Sequence, residues 1–185
     1  MRAFIAIALP EQLGEGIADL QTELKKEDLF IGRFVEPKNL HINLKFLGEI
    51  PESLVEGIEQ AAKEICTQKK FNVQLKGFGA FPSQHYIRVL WIGIGVGNEQ
   101  LLQLQKALDA QLVKLRFKPD RRFSAHITLA RVRAVREKAK LQSLFKKWAV
   151  RDFGGFEVKD FKLMKSTLTR EGPIYEEIAS FKLKD

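Results

Sequence analysis

Two stretches of the chain share one alternation of polar and apolar positions. They are Leu40-His41-Ile42-Asn43-Leu44-Lys45-Phe46-Leu47 and Ser124-Ala125-His126-Ile127-Thr128-Leu129-Ala130-Arg131. A period of two predicts half-buried strands. Residues i and i+2 of a strand share a face about 6.5–7 Å apart. His41 and Asn43 are therefore expected on one face, as are His126 and Thr128, while Ile42, Leu44, Ile127 and Leu129 face a core. Strict alternation also puts Lys45 on the face of His41.

The remaining pattern alternates strands with helices. Arg2 to Ala8 reads as a strand, and Pro10-Glu11 opens a helix carrying Leu13, Ile17, Leu20 and Leu24. Strands are predicted at Phe30–Val35, Phe71–Leu75 and Tyr86–Ile94. Helices are predicted through Leu54, Ile58 and Ile65, through Leu101, Leu108 and Leu112, and over the basic stretch Arg136–Trp148. Phe156–Leu168 and Tyr175–Leu183 read as strands of a hairpin around Arg170-Glu171-Gly172-Pro173.

The order of elements repeats. His41 and His126 lie 85 residues apart, and the same offset lays Ile5 on Leu90, Ile7 on Ile92, and Phe71-x-Val73 on Phe156-x-Val158. The expected fold is α+β, duplicated about a pseudo-twofold axis, with sequence repeats over roughly 1–80 and 86–170 and a closing strand at 174–183. One bilobal domain over 1–185 is expected, each lobe an antiparallel sheet with helices outside, and the histidines facing each other across the cleft. Two copies of so long a period are not a solenoid.

Composition narrows the chemistry. A formal net charge of +8 favours anionic partners such as phosphates or RNA. Cys66 is the sole cysteine, which excludes an internal disulfide and a cysteine-rich zinc site. The opening apolar run is short and ends at Pro10, so it reads as a strand rather than a signal peptide. No run reaches the ~20 apolar residues of a bilayer span. A cytoplasmic monomer without a membrane partner is expected.

Two histidines in register suit in-line displacement at phosphorus, because near neutrality one ring can be protonated while the other is neutral. One takes a proton from water and the other protonates the departing alkoxide, each role contributing ~10²–10⁴-fold. Asn43 and Thr128 can donate hydrogen bonds to the non-bridging oxygens, where charge builds up. Lys45 and Arg131, with Arg121, Arg122 and Arg133, are further candidates for phosphate contact. Phe46, Tyr175 and Phe123 are candidate base platforms. His85 reads as a surface loop residue. No carboxylate or cysteine cluster accompanies the histidines at metal-ligand spacing, so no metal is expected. Gly93-x-Gly95-x-Gly97 departs from the dinucleotide fingerprint and reads as a strand end.

His41-x-Asn43-Leu-x-Phe-Leu-Gly48 and His126-x-Thr128-Leu-Ala-Arg131 resemble the paired H-x-T motifs of the 2H phosphoesterase superfamily, and within it the RNA 2′,3′-cyclic phosphodiesterases, also called 2′-5′ RNA ligases. Arg2-x-Phe4-Ile5-Ala6 and the stretch from Ser166 through Tyr175 to Phe181 share the likeness. The resemblance implies a bilobal fold without cofactor. It implies hydrolysis of RNA 2′,3′-cyclic phosphates to 2′-phosphomonoesters, with His41 as proton donor and His126 as proton acceptor. An RNA 5′-hydroxyl in place of water would give 2′-5′ ligation. Asn43 departs from the family's threonine or serine. A phosphodiesterase acting on a small cyclic-phosphate nucleotide and a catalytically weak RNA-binding module are the alternatives.

Overall fold

The computed structural model describes all of residues 1–185. Nine strands and four α-helices follow the predicted order. The strands are β1 (Arg2–Ala8), β2 (Phe30–Phe34), β3 (His41–Glu49), β4 (Phe71–Pro82), β5 (Ile87–Ile94), β6 (His126–Val135), β7 (Asp152–Val158), β8 (Asp160–Leu168) and β9 (Pro173–Lys182). The helices are α1 (Glu11–Lys26), α2 (Val55–Glu64), α3 (Asn98–Lys114) and α4 (Lys138–Lys147).

All strands join one antiparallel sheet in the order β7-β4-β5-β6-β3-β1-β8-β9, with β2 against the free end of β6. It reads as two halves, β3-β1-β8-β9 and β6-β5-β4-β7, which meet at the single pair Ile42–Ile127. The offset of 85 holds pair by pair around this junction. Ala8–His41, Ile7–Ile42, Ala6–Asn43, Ile5–Lys45 and Phe4–Phe46 match Gly93–His126, Ile92–Ile127, Trp91–Thr128, Leu90–Ala130 and Val89–Arg131.

The third sequence match means something else. Phe71–Val73 and Phe156–Val158 are hydrogen-bonded neighbours, with Phe71 opposite Val158 and Val73 opposite Phe156. In the sheet, β4 flanks β5 as β8 flanks β1, so β8 is the counterpart of β4. Strands from the first part of the chain thus complete the lobe of the second, and the reverse. The predicted strand Phe156–Leu168 divides for the same reason. At Lys159 the chain leaves one half of the sheet for the other, with no turn residue to announce it.

The helices cover the sheet's apolar face. Ile17, Leu20 and Leu24 of α1, Leu101, Leu104 and Leu108 of α3, and Leu141 and Phe145 of α4 join Ile5, Ile7, Ile42, Leu44, Leu90, Ile92, Ile127 and Leu129 in one core. The acidic Glu11 and the basic Lys25 and Lys26 suit the two ends of the α1 dipole.

Both central strands carry a bulge at the same place. Between Asn43 and Lys45, and between Thr128 and Ala130, two steps face one step on the neighbouring strand. Beyond each bulge the faces exchange. Lys45 is therefore not on the face of His41: it turns into the core at 5% exposure, where its Nζ pairs with Asp109 of α3 and donates to the Lys118 carbonyl (2.6 Å). The other carboxylate oxygen of Asp109 accepts from the Asp120 amide (2.8 Å). On β6, the bulge carbonyl of Leu129 accepts from the Val35 amide (2.9 Å) and from Nε2 of the buried Gln21 of α1 (3.2 Å). Each bulge is thus tied to the helix behind it, on β6 through a carbonyl the ladder leaves unpaired and on β3 through the inward lysine.

Lys45→Met leaves Asp109 buried without a counter-charge, and is expected to cost about 3–5 kcal/mol. Adding Asp109→Leu should recover most of that loss. Denaturant titration checks this, and a double variant no more stable than the single one would refute it.

Candidate active site

Antiparallel continuation of the Ile42–Ile127 register sets His41 across from Thr128 and Asn43 across from His126. Four side chains then occupy the corners of a parallelogram on the open face of the sheet. Diagonal positions in such a pair are about 7–8 Å apart, which leaves room for a phosphate between the two rings. All four line one cleft of about 240 Å³, with Arg131, Phe46 and Tyr175.

Each ring is held by the backbone two residues before it. His41 Nδ1 lies 2.7 Å from the Asn39 carbonyl, and His126 Nδ1 lies 2.7 Å from the Ser124 carbonyl. A carbonyl only accepts, so Nδ1 carries the proton in both rings and Nε2 is the atom left for chemistry. Asn39 is itself buried and fastened by Nδ2 to the Pro173 carbonyl at the start of β9 (3.1 Å). Aromatic rings complete the setting. Phe4 and Tyr175 lie 5.1 and 5.5 Å from the His41 ring, and Phe81 lies 4.9 Å from that of His126. Behind Phe81, Trp91 lies flat on Gly79, where any Cβ would come within 2.2 Å of the indole.

The two halves differ at equivalent positions. Asn43 has Ala6 as its neighbour on the adjacent strand, whereas Thr128 has Trp91. Asparagine is longer than threonine, and the small neighbour suits it. Its Oδ1 is buried without a protein partner, which leaves Nδ2 as the amide atom for the cleft. The bulges likewise bring Phe46 and Arg131 to matching places on the open face. By strict alternation from His126, Arg131 would have faced the core.

Burial lowers His41 below the ordinary histidine value of 6.5. The hydrogen bond to the Asn39 carbonyl opposes this, and the charges of His126 and Arg131 add to it. Burial also lowers His126, again opposed by its carbonyl bond and aided by Arg131. Repulsion between the rings disfavours the doubly protonated pair, which suits a site needing one proton between them. Burial raises the Tyr175 hydroxyl, against the charges of Arg131 and Arg2.

Several sequence candidates lie elsewhere. Lys45 is in the core, Phe123 packs against the core, and Arg121, Arg122 and Arg133 do not line the cleft, while His85 lies in an exposed loop as expected. No cluster of three or more histidine, cysteine, aspartate or glutamate side chains is arranged to hold a metal ion. No helix is long and apolar enough to cross a membrane. Sequence reading missed Asn39 and Ser124, whose contribution is a carbonyl and so carries no side-chain signature. It also missed Arg33, the one charge in the short strand Phe30–Phe34.

The chain belongs to the LigT-like phosphoesterase family, which it matches over residues 7–91 and again over 94–175. It is 42% identical to the RNA 2′,3′-cyclic phosphodiesterase of Methanocaldococcus jannaschii, over 96% of this chain and 98% of that one. It is 36% identical to the protein of the same name from Methanothermobacter thermautotrophicus, over 99% of each chain. Among solved structures, the TT0787 protein of Thermus thermophilus superposes with a TM-score of 0.82 at 29% identity, over 100% of this chain and 98% of that one. E. coli LigT complexed with 3′-AMP superposes with a TM-score of 0.79 at 27% identity, with the same coverage.

Two histidines whose protonation burial disfavours make the fold sensitive to acid. Below pH 6.5 the unfolded chain takes up protons that the folded chain still refuses, so stability falls as the pH drops from 6.5 toward the lowered folded values. Unfolding titrations at pH 7 and pH 5 should show a smaller loss in a His41→Gln/His126→Gln variant than in the wild type. An equal loss in both would refute this.

Proposed function

We propose that this chain hydrolyses RNA 2′,3′-cyclic phosphates to 2′-phosphomonoesters without a metal, by acid–base catalysis between His41 and His126. The supporting observation is the symmetric pinning of both rings through Nδ1, which leaves two Nε2 atoms for one cleft. The names of the relatives point to the same substrate class.

In this reading His126 Nε2 takes a proton from water as the water oxygen bonds to phosphorus. The P–O3′ bond breaks on the opposite side, and O3′ receives the proton of His41 Nε2. Thr128, Asn43 and Arg131 hold the non-bridging oxygens as charge grows on them. The pair finishes with its proton on His126 instead of His41, and exchange with solvent resets it. His41 is the acid because it stands on the side of Tyr175 and the exposed ring of Phe46, where a nucleoside and its leaving O3′ would lie. With an RNA 5′-hydroxyl replacing water, the same displacement forms a 2′-5′ linkage.

Phosphorus NMR of a 2′,3′-cyclic oligonucleotide in EDTA should show conversion to the 2′-phosphate. His41→Ala and His126→Ala should each lower the rate by about 10²–10⁴-fold. The profile of kcat/KM should be bell-shaped with its optimum below pH 6.5, since both rings of the free enzyme lie below that value. The kcat optimum should lie to the alkaline side, because the bound anion raises both. Loss of turnover on chelation, or wild-type rates in both variants, would overturn the proposal.

A further inference from the structure

The cleft continues into a groove of about 510 Å³ that runs along β1 toward the β8–β9 turn. Three arginines line it, Arg2, Arg33 and Arg131, and no carboxylate does. None of the three forms an ion pair, although basic residues nearby do: Lys38 pairs with Glu36, Lys162 with Glu177 and Lys165 with Glu176.

Arg33 and Arg131 are moreover direct cross-strand partners in the β2–β6 pair. Like charges directly opposite each other destabilise a sheet, and neither guanidinium forms an ion pair, although Glu36 and Glu171 line the adjoining cleft. The arrangement is nevertheless built closely. Gly32 brings β2 so near that a Cβ there would lie 2.2 Å from the Arg131 carbonyl, and Arg33 Nη2 is aimed by a hydrogen bond to the Arg170 carbonyl (3.2 Å).

Arg2 lies further out on the same open face. From Ala6, the neighbour of Asn43, it is four residues along β1, or about 13 Å at strand rise. Phe46 lies between those levels, opposite Phe4, with 66% of its surface exposed. An exposed ring flanked by guanidiniums that form no ion pair matches the stacking platform and phosphate clamp of a single-stranded nucleic acid site.

We infer that Arg33, the cross-strand partner of Arg131, and Arg2 beyond it form a second phosphate subsite, which holds the internucleotide phosphate next to the cyclic one while Phe46 carries the intervening base. The inference rests on the proposed cyclic phosphodiesterase activity and deepens it. The enzyme reads the 3′ end of an RNA strand rather than a lone nucleotide, and the strand leaves the site along β1 toward the β8–β9 turn.

The test compares two substrates, adenosine 2′,3′-cyclic phosphate and a tetra-adenylate ending in a 2′,3′-cyclic phosphate. The wild type should prefer the longer substrate in kcat/KM by roughly tenfold or more, the scale of a lost hydrogen bond to a charged group. Arg33→Gln and Arg2→Gln should each shrink that ratio. Each should also lower the slope of log affinity against log salt by about one for a 3′-phosphorylated tetra-adenylate, measured by fluorescence anisotropy. Arg33→Gln should melt at or above the wild-type temperature, since it relieves the repulsion with Arg131. If neither substrate is turned over, the activity reading fails and the inference falls with it. If the cyclic mononucleotide is hydrolysed but the longer substrate gains nothing, or both variants keep the wild-type ratio and salt slope, the subsite is refuted and the activity stands.

Discussion

The antiparallel register across Ile42 and Ile127, with a bulge two residues further on in each strand, is the constraint that the site cannot do without. The register brings His41, Asn43, His126 and Thr128 to one face in a diagonal arrangement. Each bulge then reverses the alternation, so that a residue that would have been buried, Phe46 or Arg131, reaches the open face. The residue before it goes inward. A bulge leaves backbone groups unpaired and strands locally bent; Gln21 satisfies the Leu129 carbonyl on one side, and on the other Asp109 neutralises the Lys45 side chain that the bulge turns inward. Removing these buried partners would loosen the placement of the histidines as well as the core.

A twofold frame suits a reaction with one proton donor and one proton acceptor, yet the proposed reaction itself is not symmetric. The chain breaks its symmetry at matched positions. Phe46 stands opposite Arg131 in role, Ala6 opposite Trp91, and Asn43 opposite Thr128. An aromatic ring on the His41 side and a guanidinium on the His126 side give a nucleotide one favoured direction. In the proposed reaction, donor and acceptor would follow from that direction rather than from the carbonyl two residues back, which pins both rings alike.

Much of this was legible in the residues. Periodicity placed the helices through Ile17 and Leu108, and the offset of 85 laid Ile5, Ile7 and His41 on Leu90, Ile92 and His126, which occupy matching places in the two ladders. Alternation placed His41 with Asn43 and His126 with Thr128, and it failed at Lys45 because a bulge has no fixed residue signature. The likeness of Phe71–Val73 and Phe156–Val158 reflected pairing rather than symmetry, a distinction that composition does not carry. Arg33 was hidden because its meaning lies in what faces it across β2 and β6, a contact between residues far apart in the chain.

The fold holds both imidazoles through Nδ1 and leaves both Nε2 atoms to one cleft. Nitrogen-15 NMR of the histidine side chains at neutral pH measures this directly. His41 and His126 should both appear as Nδ1–H tautomers, unlike the exposed His85, and a single proton should be taken up by the pair when a 2′-phosphorylated nucleotide binds. An Nε2–H tautomer in either ring, or binding with no change at either histidine, would contradict it.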